Sequence, residues 1–208
     1  MIRNSKLHVH HMIFSSRSNG PGKRAVIWLQ GCSLRCPGCF NPGLQNPEGG
    51  LDMETSAMAD QLIAHRKDVE GITVSGGEPV EQIEPLIHLL SIIKEKTNLS
   101  VLLFSGKTLA QIQVLKNGPE LLSLTDVLVD GTYDENLANP QGVWPASTNQ
   151  RIILLTSRYL ESDFEGIPSQ EIFIGPTGEI IETGLYGSEE RGLSENSSPS
   201  GRDWGRER

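Results

Sequence analysis

The stretch that decides the fold is residues 71–104, GITVSGGEPVEQIEPLIHLLSIIKEKTNLSVLLF. Its two ends, residues 72–75 and 99–104, are short apolar runs of the kind found in strands that are covered on both faces. Between them, apolar residues recur at helical spacing, at Ile83, Leu86, Ile87, Leu90 and Ile93. A strand, a helix and a strand in this order predict a parallel βαβ unit with a right-handed crossover.

The same alternation extends to both sides of this unit. Apolar runs bounded by turn residues predict further strands at 7–14, 25–30, 126–129 and 152–155. A helix over 53–67 is predicted behind an Asp52 cap, and another begins at Thr108, whose T-x-x-Q pattern is a capping box, and reaches about residue 117. The pattern predicts an α/β fold of parallel strands. Because the chain carries too few units for a complete barrel of about 250 residues, we expect an open, partial βα barrel.

The C-terminal part of the chain departs from this alternation. Residues 171–174 and 179–183 flank Pro176-Thr177-Gly178 and predict a closing β-hairpin. From Ser188 onward the chain has almost nothing to bury, which predicts a disordered tail. We therefore expect a single domain over 1–187, with its core at 25–155, followed by a disordered tail over 188–208.

Composition narrows the possible partners. The chain has 208 residues and a formal net charge of −8, which argues against a general nucleic-acid surface. Lys23 and Arg24 could contact an acidic partner, but a solvated turn is the favoured interpretation. No apolar run approaches the ~20 residues that a membrane helix needs, and the N-terminus lacks the features of a signal peptide. We expect a cytoplasmic protein whose partners are small molecules and other proteins, with no nucleic acid and no membrane.

The three cysteines lie together in GCSLRCPGCFNP, residues 31–42, with the spacing C-x-x-x-C-x-x-C at Cys32, Cys36 and Cys39. An odd number of closely spaced thiols is typical of metal ligands in a reducing compartment rather than of a disulfide framework. Soft thiolates suit the four irons of a [4Fe–4S] cluster. Three of them leave one iron open, which could chelate the amino and carboxylate groups of a substrate.

A structural zinc site is the main alternative for these cysteines. Structural zinc takes four closed ligands, usually as two separated pairs. A second pair of cysteines is missing, and the five histidines are not in ligand spacing with the loop: His8, His10, His11, His65 and His88. Zinc, or thiols that bind nothing, remain the less favoured alternatives.

A second motif, Ser75-Gly76-Gly77-Glu78-Pro79, follows the strand at 72–75. Ligands of parallel sheets bind at the carboxyl ends of strands, and glycines let a ligand approach the backbone closely. Glu78 offers a carboxylate acceptor for an ammonium group. By itself the motif is a plain strand-to-helix turn. Its position one βα unit after the cysteine loop favours a ligand-binding role.

The cysteine loop followed by Gly-Gly-Glu-Pro resembles the radical S-adenosylmethionine superfamily. The resemblance implies that Cys32, Cys36 and Cys39 bind a [4Fe–4S] cluster and that S-adenosylmethionine binds to its open iron. It also implies that Ser75, Gly76, Gly77 and Glu78 contact this cofactor, the last three at its methionine amine. One-electron reduction would then release a 5′-deoxyadenosyl radical that abstracts a hydrogen atom.

Within this superfamily, the sequence C-P-G-C-F-N is similar to the activating components of anaerobic ribonucleotide reductase. Many superfamily members carry an aromatic residue just before the last cysteine, whereas this chain has Gly38 there and Phe40 after it. The segments at 104–108, 126–131 and 147–151 also resemble those activases in the same order, so that the similarity runs over about 25–155. The resemblance adds these residues to the predicted cofactor contacts: Gly38, Phe40, Asn41, Ser105, Asp130, Asn149 and Arg151.

Three of these residues also have ordinary structural interpretations. Asp130-Gly131 could be a plain turn, and Arg151 could pair with a carboxylate on the surface. Ser105 could belong to a turn or to a helix cap.

The sequence leaves three functions open, in order of preference. The first is a glycyl-radical activase that takes hydrogen from a glycine of a large partner enzyme and receives its electron from a flavodoxin- or ferredoxin-type donor. The second is a radical enzyme that acts on a small molecule or a peptide, favoured by the hairpin at 171–183, because a sheet edge can receive a peptide strand. The third is a non-enzymatic zinc or iron–sulfur module.

Overall fold

The computed structural model of the chain describes residues 5–140, 143–175, 178 and 180–185. Within these ranges the strands are β1 (Lys6–Ser16), β2 (Arg24–Leu29), β3 (Leu51–Glu54), β4 (Gly71–Gly76), β5 (Ser100–Ser105), β6 (Val127–Asp130), β7 (Arg151–Leu154), β8 (Glu171–Ile174) and β9 (Ile180–Thr183). The α-helices are α1 (Thr55–Ala64), α2 (Ile83–Lys96), α3 (Leu109–Gln113) and α4 (Gly118–Ser123).

Seven of the described strands form one sheet, in the order β3-β1-β2-β4-β5-β6-β7. The central strands β2, β4, β5 and β6 run parallel, and the outer strands pair antiparallel. The predicted α/β class and its parallel centre are therefore confirmed. Because β3 and β7 stand at the two ends of this strand order, the sheet is open in the described part of the chain, and the predicted partial barrel is not confirmed.

The main core lies between the sheet and the helices. Ile72 and Val74 of β4 and Val101 and Leu103 of β5 point to this side and are fully buried. They pack with the buried apolar stripe of α2, which includes Leu86, Leu90 and Ile93. Full burial of one such side chain contributes about 1.5–3 kcal/mol, so this face supplies much of the driving force for folding. None of the helices in the described ranges is long and apolar enough to cross a membrane.

The opposite face of the sheet is covered by irregular chain rather than by helices. Leu102, Val127 and Val129 project to this side and pack against Phe164 and Ile167. Both of the latter lie in the segment that follows β7. The predicted site residues lie at the carboxyl ends of the parallel strands, next to these connecting segments.

The helix predicted over 53–67 begins later than expected, and Asp52 is not its cap. Residues 51–54 form β3, which pairs antiparallel with β1 through Lys6↔Glu54 and Val9↔Leu51. The residue before α1 is Glu54, whose side chain makes no capping hydrogen bond. Asp52 instead lies 2.8 Å from Nδ1 of His8, measured at its Oδ1. Pairing with a distant strand thus overrides the local helix signal.

Two further local predictions are only partly right. The capping box at Thr108 is confirmed, but the helix behind it ends at Gln113, and α4 follows after Asn117, whose φ is +67°. The strand predicted at 152–155 forms as β7 but runs antiparallel to β6. A parallel pair requires a crossover that returns the chain to the starting edge of the sheet, usually through an α-helix. The described part of the connection between β6 and β7 carries only a short 3-10 helix, Glu135–Leu137.

Arg24 is not part of a solvated turn, because its side chain is completely buried. Its guanidinium donates to the hydroxyls of Thr73, Ser100 and Tyr159 and to the carbonyls of Pro21 and Ile72. Burial lowers the pKa of this guanidinium. Neutral acceptors from β4, β5, the turn before β2 and the segment after β7 therefore satisfy a buried cation, which composition alone could not predict.

The predicted C-terminal hairpin is confirmed as β8 and β9, paired antiparallel through Glu171↔Thr183 and Ile174↔Ile180. Pro176, Thr177 and Glu179 of the predicted hairpin, and the predicted disordered tail over 188–208, lie outside the described residues. The hairpin is fastened to the turn after β1 by Glu171, whose Oε2 accepts hydrogen bonds from the hydroxyls of Ser16 and Ser18 at 2.5 and 3.1 Å.

We expect Glu171→Ala to release the hairpin. Although burial opposes the shift, hydrogen bonds from Ser16, Arg17 and Ser18 hold the pKa of Glu171 below its usual range. A carboxyl whose pKa is depressed in the folded state stabilises the protein above its unfolded pKa of about 4.3, and this contribution is lost as the pH falls through the folded value. Amide hydrogen exchange of β8 and β9 should be faster in the variant at pH 7, and the difference from wild type should shrink as the pH is lowered through that window.

The exposed Glu165→Ala is the matched control for this variant. Exchange in β8 and β9 at the same rate in Glu171→Ala and Glu165→Ala would show that Glu171 does not hold the hairpin.

Candidate functional site

The three cysteines lie on a long loop whose two ends are joined. The loop leaves β2 at Leu29 and enters β3 at Leu51. Near its start, the backbone N–H groups of Gly31 and Cys32 donate to the carbonyls of Leu44 and Gln45, at 2.8 and 3.3 Å. Cys32, Cys36 and Cys39 therefore occupy an arc whose base is closed by backbone hydrogen bonds.

The donor set of this arc fits an iron–sulfur cluster. All three cysteines are free and half-buried. Burial raises the pKa of the Cys32 and Cys36 thiols, so that thiolates here require a compensating positive charge, which iron supplies. Within the described ranges no three His, Cys, Asp or Glu side chains converge on a single metal ion. A four-iron cluster does not require such convergence, because each iron takes its own thiolate.

The Gly76-Gly77 turn is packed directly against the start of this loop. The backbone N–H of Gly77 donates to the Leu29 carbonyl at 2.7 Å, and that of Glu78 donates to the Gly31 carbonyl at 2.9 Å. A Cβ at Gly77 would overlap the Gly31 carbonyl, and a Cβ at Gly76 would overlap the backbone of Leu29. Glycine is therefore required at both positions because the turn packs against the backbone of Leu29 and Gly31. Their predicted contact with a cofactor stays a prediction.

Glu78 joins the ends of two parallel strands. It is only 2% exposed, and its Oε1 accepts from the Ser105 hydroxyl at 2.7 Å and from the Val80 N–H at 3.2 Å. Its Oε2 accepts from the Gly106 N–H at 2.8 Å. Burial raises the pKa of this carboxyl, although the three hydrogen bonds oppose the rise. The structure thus brings Ser105, Gly76, Gly77 and Glu78 together at the carboxyl ends of β4 and β5.

Asp130 and Arg151 form a separate pair with each other. Arg151 donates to both carboxylate oxygens of Asp130, at 2.9 Å from Nε and 2.5 Å from the terminal nitrogen. The Asp130 side chain is 1% exposed and that of Arg151 is 58% exposed. Asp130 also accepts from the backbone N–H of Leu109 at 2.6 Å, in the first turn of α3. This geometry agrees with the interpretation of Arg151 as the partner of a carboxylate, whereas Asp130 is a buried strand residue rather than part of a plain turn. The predicted roles of both residues in cofactor binding stay predictions.

Asp130→Ala is expected to destabilise the protein. It leaves the partly buried N–H of Leu109 without its acceptor, which costs about 1–3 kcal/mol, while the exposed Arg151 can turn to solvent. Urea denaturation would measure the loss against Asp60→Ala, which removes an exposed carboxylate from α1. Equal stabilities for the two variants would contradict a structural role for Asp130.

Three of the predicted contact residues line one cavity of about 130 Å³: Phe40, Asn41 and Ser75. Four of the other lining residues are aromatic, Trp28, Phe104, Tyr133 and Trp144, and they stand beside polar ones that include Glu182 and Thr183 at β9. Phe40 stacks edge-on against Tyr133, with ring centroids 4.7 Å apart. The cavity adjoins the cysteine loop through Phe40 and Asn41, and an aromatic lining can exclude water from bound ligands.

The remaining predicted residues lie nearby. Gly38 adopts a φ of +65°, and a Cβ there would overlap the Glu135 side chain. Asn149 is exposed and donates to the Thr132 carbonyl at 2.7 Å. A larger open cleft of about 510 Å³, which includes Arg66 and Tyr159 in its lining, lies at the amino ends of the parallel strands and contains none of the predicted site residues.

Sequence reasoning missed three residues that hold the cysteine loop. Glu81 accepts at Oε1 from the backbone N–H of Ser33 at 3.0 Å and also contacts the Ser33 hydroxyl. The buried side chain of Gln30 lies inside the loop, and Gln82 donates to the Gln30 carbonyl at 3.0 Å. Glu81 and Gln82 follow the Gly-Gly-Glu-Pro motif, and Gln30 precedes the first cysteine, but a single sequence carries no signal that pairs them.

Comparison with known proteins shows the family of this chain. Residues 18–153 match the family of 4Fe-4S single cluster domains. The anaerobic ribonucleoside-triphosphate reductase-activating protein of Escherichia coli strain K12 is 31% identical over 139 residues, which cover 64% of this chain and 88% of the relative. The chain belongs to the family of anaerobic ribonucleoside-triphosphate reductase-activating proteins.

Two further members of this family agree. The activating protein of Enterobacteria phage T4 is 32% identical over 139 residues, covering 64% of this chain and 85% of the relative. That of Vibrio cholerae is 33% identical over 141 residues, covering 64% and 89%. The predicted resemblance is confirmed, and so is the iron–sulfur character of the domain, which counts against a zinc module. The hairpin β8–β9 lies beyond the matched residues 18–153.

Proposed function

We propose that this protein is a glycyl-radical activase whose substrate is a glycine of an anaerobic ribonucleotide reductase. The observation that carries the proposal is the direct attachment of the Gly77-Glu78 turn to the start of the cysteine loop, at 2.7 and 2.9 Å. This attachment places three free thiols and a buried carboxylate at the same edge of the sheet. The names of the relatives supply the partner, since they are activating proteins of such a reductase.

In this proposal Cys32, Cys36 and Cys39 hold three irons of a [4Fe–4S] cluster, and the fourth iron is left for the amino and carboxylate groups of S-adenosylmethionine. When bound, these groups supply radical chemistry: one electron breaks the C5′–S bond, giving methionine and a 5′-deoxyadenosyl radical that takes a hydrogen atom from the partner's glycine. A flavodoxin- or ferredoxin-type protein would supply the electron.

The chain's own residues would bind and shield these groups. Glu78 is held in one orientation by Ser105 and Gly106, and its oxygens have lone pairs left to accept from the cofactor's ammonium group. The aromatic side chains of Phe40, Phe104 and Trp144 would exclude water from the cavity. Exclusion of water protects a reactive radical from side reactions.

The finer features of the fold enter the same proposal. We propose that the sheet and the segments that cover its second face act as a partial barrel around the cavity, within a single domain over 1–187. The protein would work in the cytoplasm, with neither nucleic acid nor membrane as a partner.

Reductive cleavage of S-adenosylmethionine tests the first half of the proposal. The protein would be reconstituted anaerobically with iron and sulfide, reduced with dithionite and assayed for 5′-deoxyadenosine, with and without an anaerobic ribonucleotide reductase. Production of 5′-deoxyadenosine in either mixture supports the proposal. A fully loaded protein that yields none in both mixtures would refute it.

A second candidate is a radical enzyme with a small-molecule or peptide substrate. The position of β9 favours it, because Glu182 and Thr183 line the cavity from outside the matched residues. Deleting the hairpin would then abolish turnover of that substrate and leave cofactor cleavage intact. A deletion variant that turns over that substrate at the wild-type rate would contradict this candidate.

A further inference from the structure

Gln30 occupies the interior of the cysteine loop. It follows β2 directly and is 2% exposed. Its Nε2 donates to the carbonyls of Gly43 and Asn46, at 3.2 and 2.5 Å, and its Oε1 lies 2.9 Å from Nδ1 of His10. Both N–H groups of the amide are therefore used to hold the returning half of the loop.

The loop is also packed around the Gln30 side chain. A Cβ at Gly49 would lie 2.9 Å from Gln30 Nε2, and a Cβ at Gly50 would lie 2.9 Å from Gln30 Cβ. The Gln30 backbone is fixed as well, since its N–H donates to the His8 carbonyl at 2.9 Å and its carbonyl accepts from Gln82 at 3.0 Å. Neighbours thus hold Gln30 on every polar group.

The acceptors of Gln30 flank the contacts that close the loop. Gly43 and Asn46 stand on either side of Leu44 and Gln45, whose carbonyls accept from the backbone N–H groups of Gly31 and Cys32. The amide therefore fixes the segment that positions Cys32 relative to the rest of the arc. In the described part of the chain, the Gln30 side chain is hydrogen-bonded to Gly43, Asn46 and His10 rather than to a thiol.

We propose that Gln30 is a positioning residue for the cluster: its amide fixes the return segment 43–46 and thereby the spacing of the three thiols. This inference rests on the proposed function only in requiring that a cluster binds to Cys32, Cys36 and Cys39. It assigns a role to a residue that lies outside the C-x-x-x-C-x-x-C and Gly-Gly-Glu-Pro motifs. Supporting residues of metal sites affect metal retention through their hydrogen bonds, even without binding the metal.

The test compares Gln30→Glu with Gln61→Glu, which adds the same charge at an exposed position of α1. A carboxylate cannot donate to the two carbonyls and is repelled by them. After anaerobic reconstitution of the full-length protein, the rate of iron release to a chelator is measured at a temperature at which all apoproteins are folded by circular dichroism. Release should be about tenfold faster in Gln30→Glu than in wild type, as the loss of two hydrogen bonds implies, and unchanged in Gln61→Glu.

A second variant keeps the test decisive if Gln30→Glu does not fold. Gly49→Ala leaves Gln30 in place, but its new Cβ would lie 2.9 Å from Gln30 Nε2 and crowd the amide. Because the flexible amide can shift in part, iron release should be only about threefold faster than in wild type. If Gln30 fixes the spacing of the thiols, the electron paramagnetic resonance spectrum of the reduced cluster should also change in both variants. A purely structural role would lower the melting temperature of the apoprotein and leave that spectrum unchanged.

Two failures are distinguishable. A wild-type protein that retains iron, with variants that release it at the wild-type rate or with an unchanged spectrum, overturns the role of Gln30 alone. A wild-type protein that takes up no cluster overturns the proposed function itself.

Discussion

Replacement of Gly77 by alanine is expected to prevent cluster binding and to destabilise the fold by about 3 kcal/mol or more. The new Cβ would overlap the carbonyl oxygen of Gly31. That oxygen cannot move away easily, since it accepts the hydrogen bond from the Glu78 N–H at 2.9 Å. The clash is between two backbone segments, so no side-chain rotation relieves it. The first residues of the cysteine loop must shift, and with them Cys32.

Urea denaturation of the apoprotein and iron content after reconstitution measure the two effects. Gly43→Ala is the matched control, because a Cβ there meets nothing within 4 Å, although Gly43 lies in the same loop. Wild-type iron content in Gly77→Ala would contradict the conclusion that this turn positions the cysteine loop.

Cys36→Ala is expected to abolish formation of 5′-deoxyadenosine. A cluster bound by two thiolates instead of three lacks a protein ligand on one more iron. The rate of 5′-deoxyadenosine formation should therefore fall by more than about 100-fold, which is the upper end of the effect for residues that merely support metal ligands. Because the chain has three cysteines, titration of the unfolded apoproteins should count three thiols in wild type and two in the variant.

Ser123→Ala is the control for this variant, since it removes a side chain of similar size from an exposed position of α4. The Cys36→Ala apoprotein should melt near the wild-type temperature, because Cys36 is only half-buried. Product formation by Cys36→Ala at a rate near that of wild type would show that Cys36 is not a cluster ligand.

Much of the fold could be predicted because its signals are local. The strands at 72–75 and 99–104 form where continuous apolar runs predict them, and the stripe beginning at Ile83 forms the buried face of α2. The capping box at Thr108 and both strands of the hairpin also follow from short patterns. In each case neighbouring residues decide the structure.

The features that could not be predicted depend on distant partners. β3 is a four-residue edge strand, LDME, whose two exposed and two half-buried positions carry no strand pattern. It exists because it pairs with residues 6–9 of β1, which lie more than 40 positions before their partners. The burial of Arg24 likewise depends on hydroxyls and carbonyls contributed by β4, β5 and the segment after β7. No local pattern reports such contacts.

The candidate site also combines features that local sequence predicts with features that depend on distant residues. The spacing of the cysteines predicts the cluster loop, and the Gly-Gly-Glu-Pro motif predicts a role for Glu78; both roles stay predictions. Gly76 and Gly77 were expected to leave room for a ligand. The structure gives another reason for them, because the backbone of Leu29 and Gly31 occupies the space that their Cβ atoms would take. The pairing of Asp130 with Arg151 and the supports at Gln30 and Glu81 join residues that are 20 or more positions apart or enclosed by a loop. Only the folded arrangement reveals them.

In the proposed reaction, a hydrogen atom passes from a glycine of the partner to the 5′-deoxyadenosyl group. The most direct measurement uses an anaerobic ribonucleotide reductase labelled with α-deuterated glycine, incubated with the reduced, reconstituted protein and S-adenosylmethionine. Mass spectrometry of the isolated 5′-deoxyadenosine should show one deuterium when the labelled partner is present and none with unlabelled partner. Abundant 5′-deoxyadenosine without deuterium, in the presence of labelled partner, would contradict hydrogen transfer from the partner's glycine.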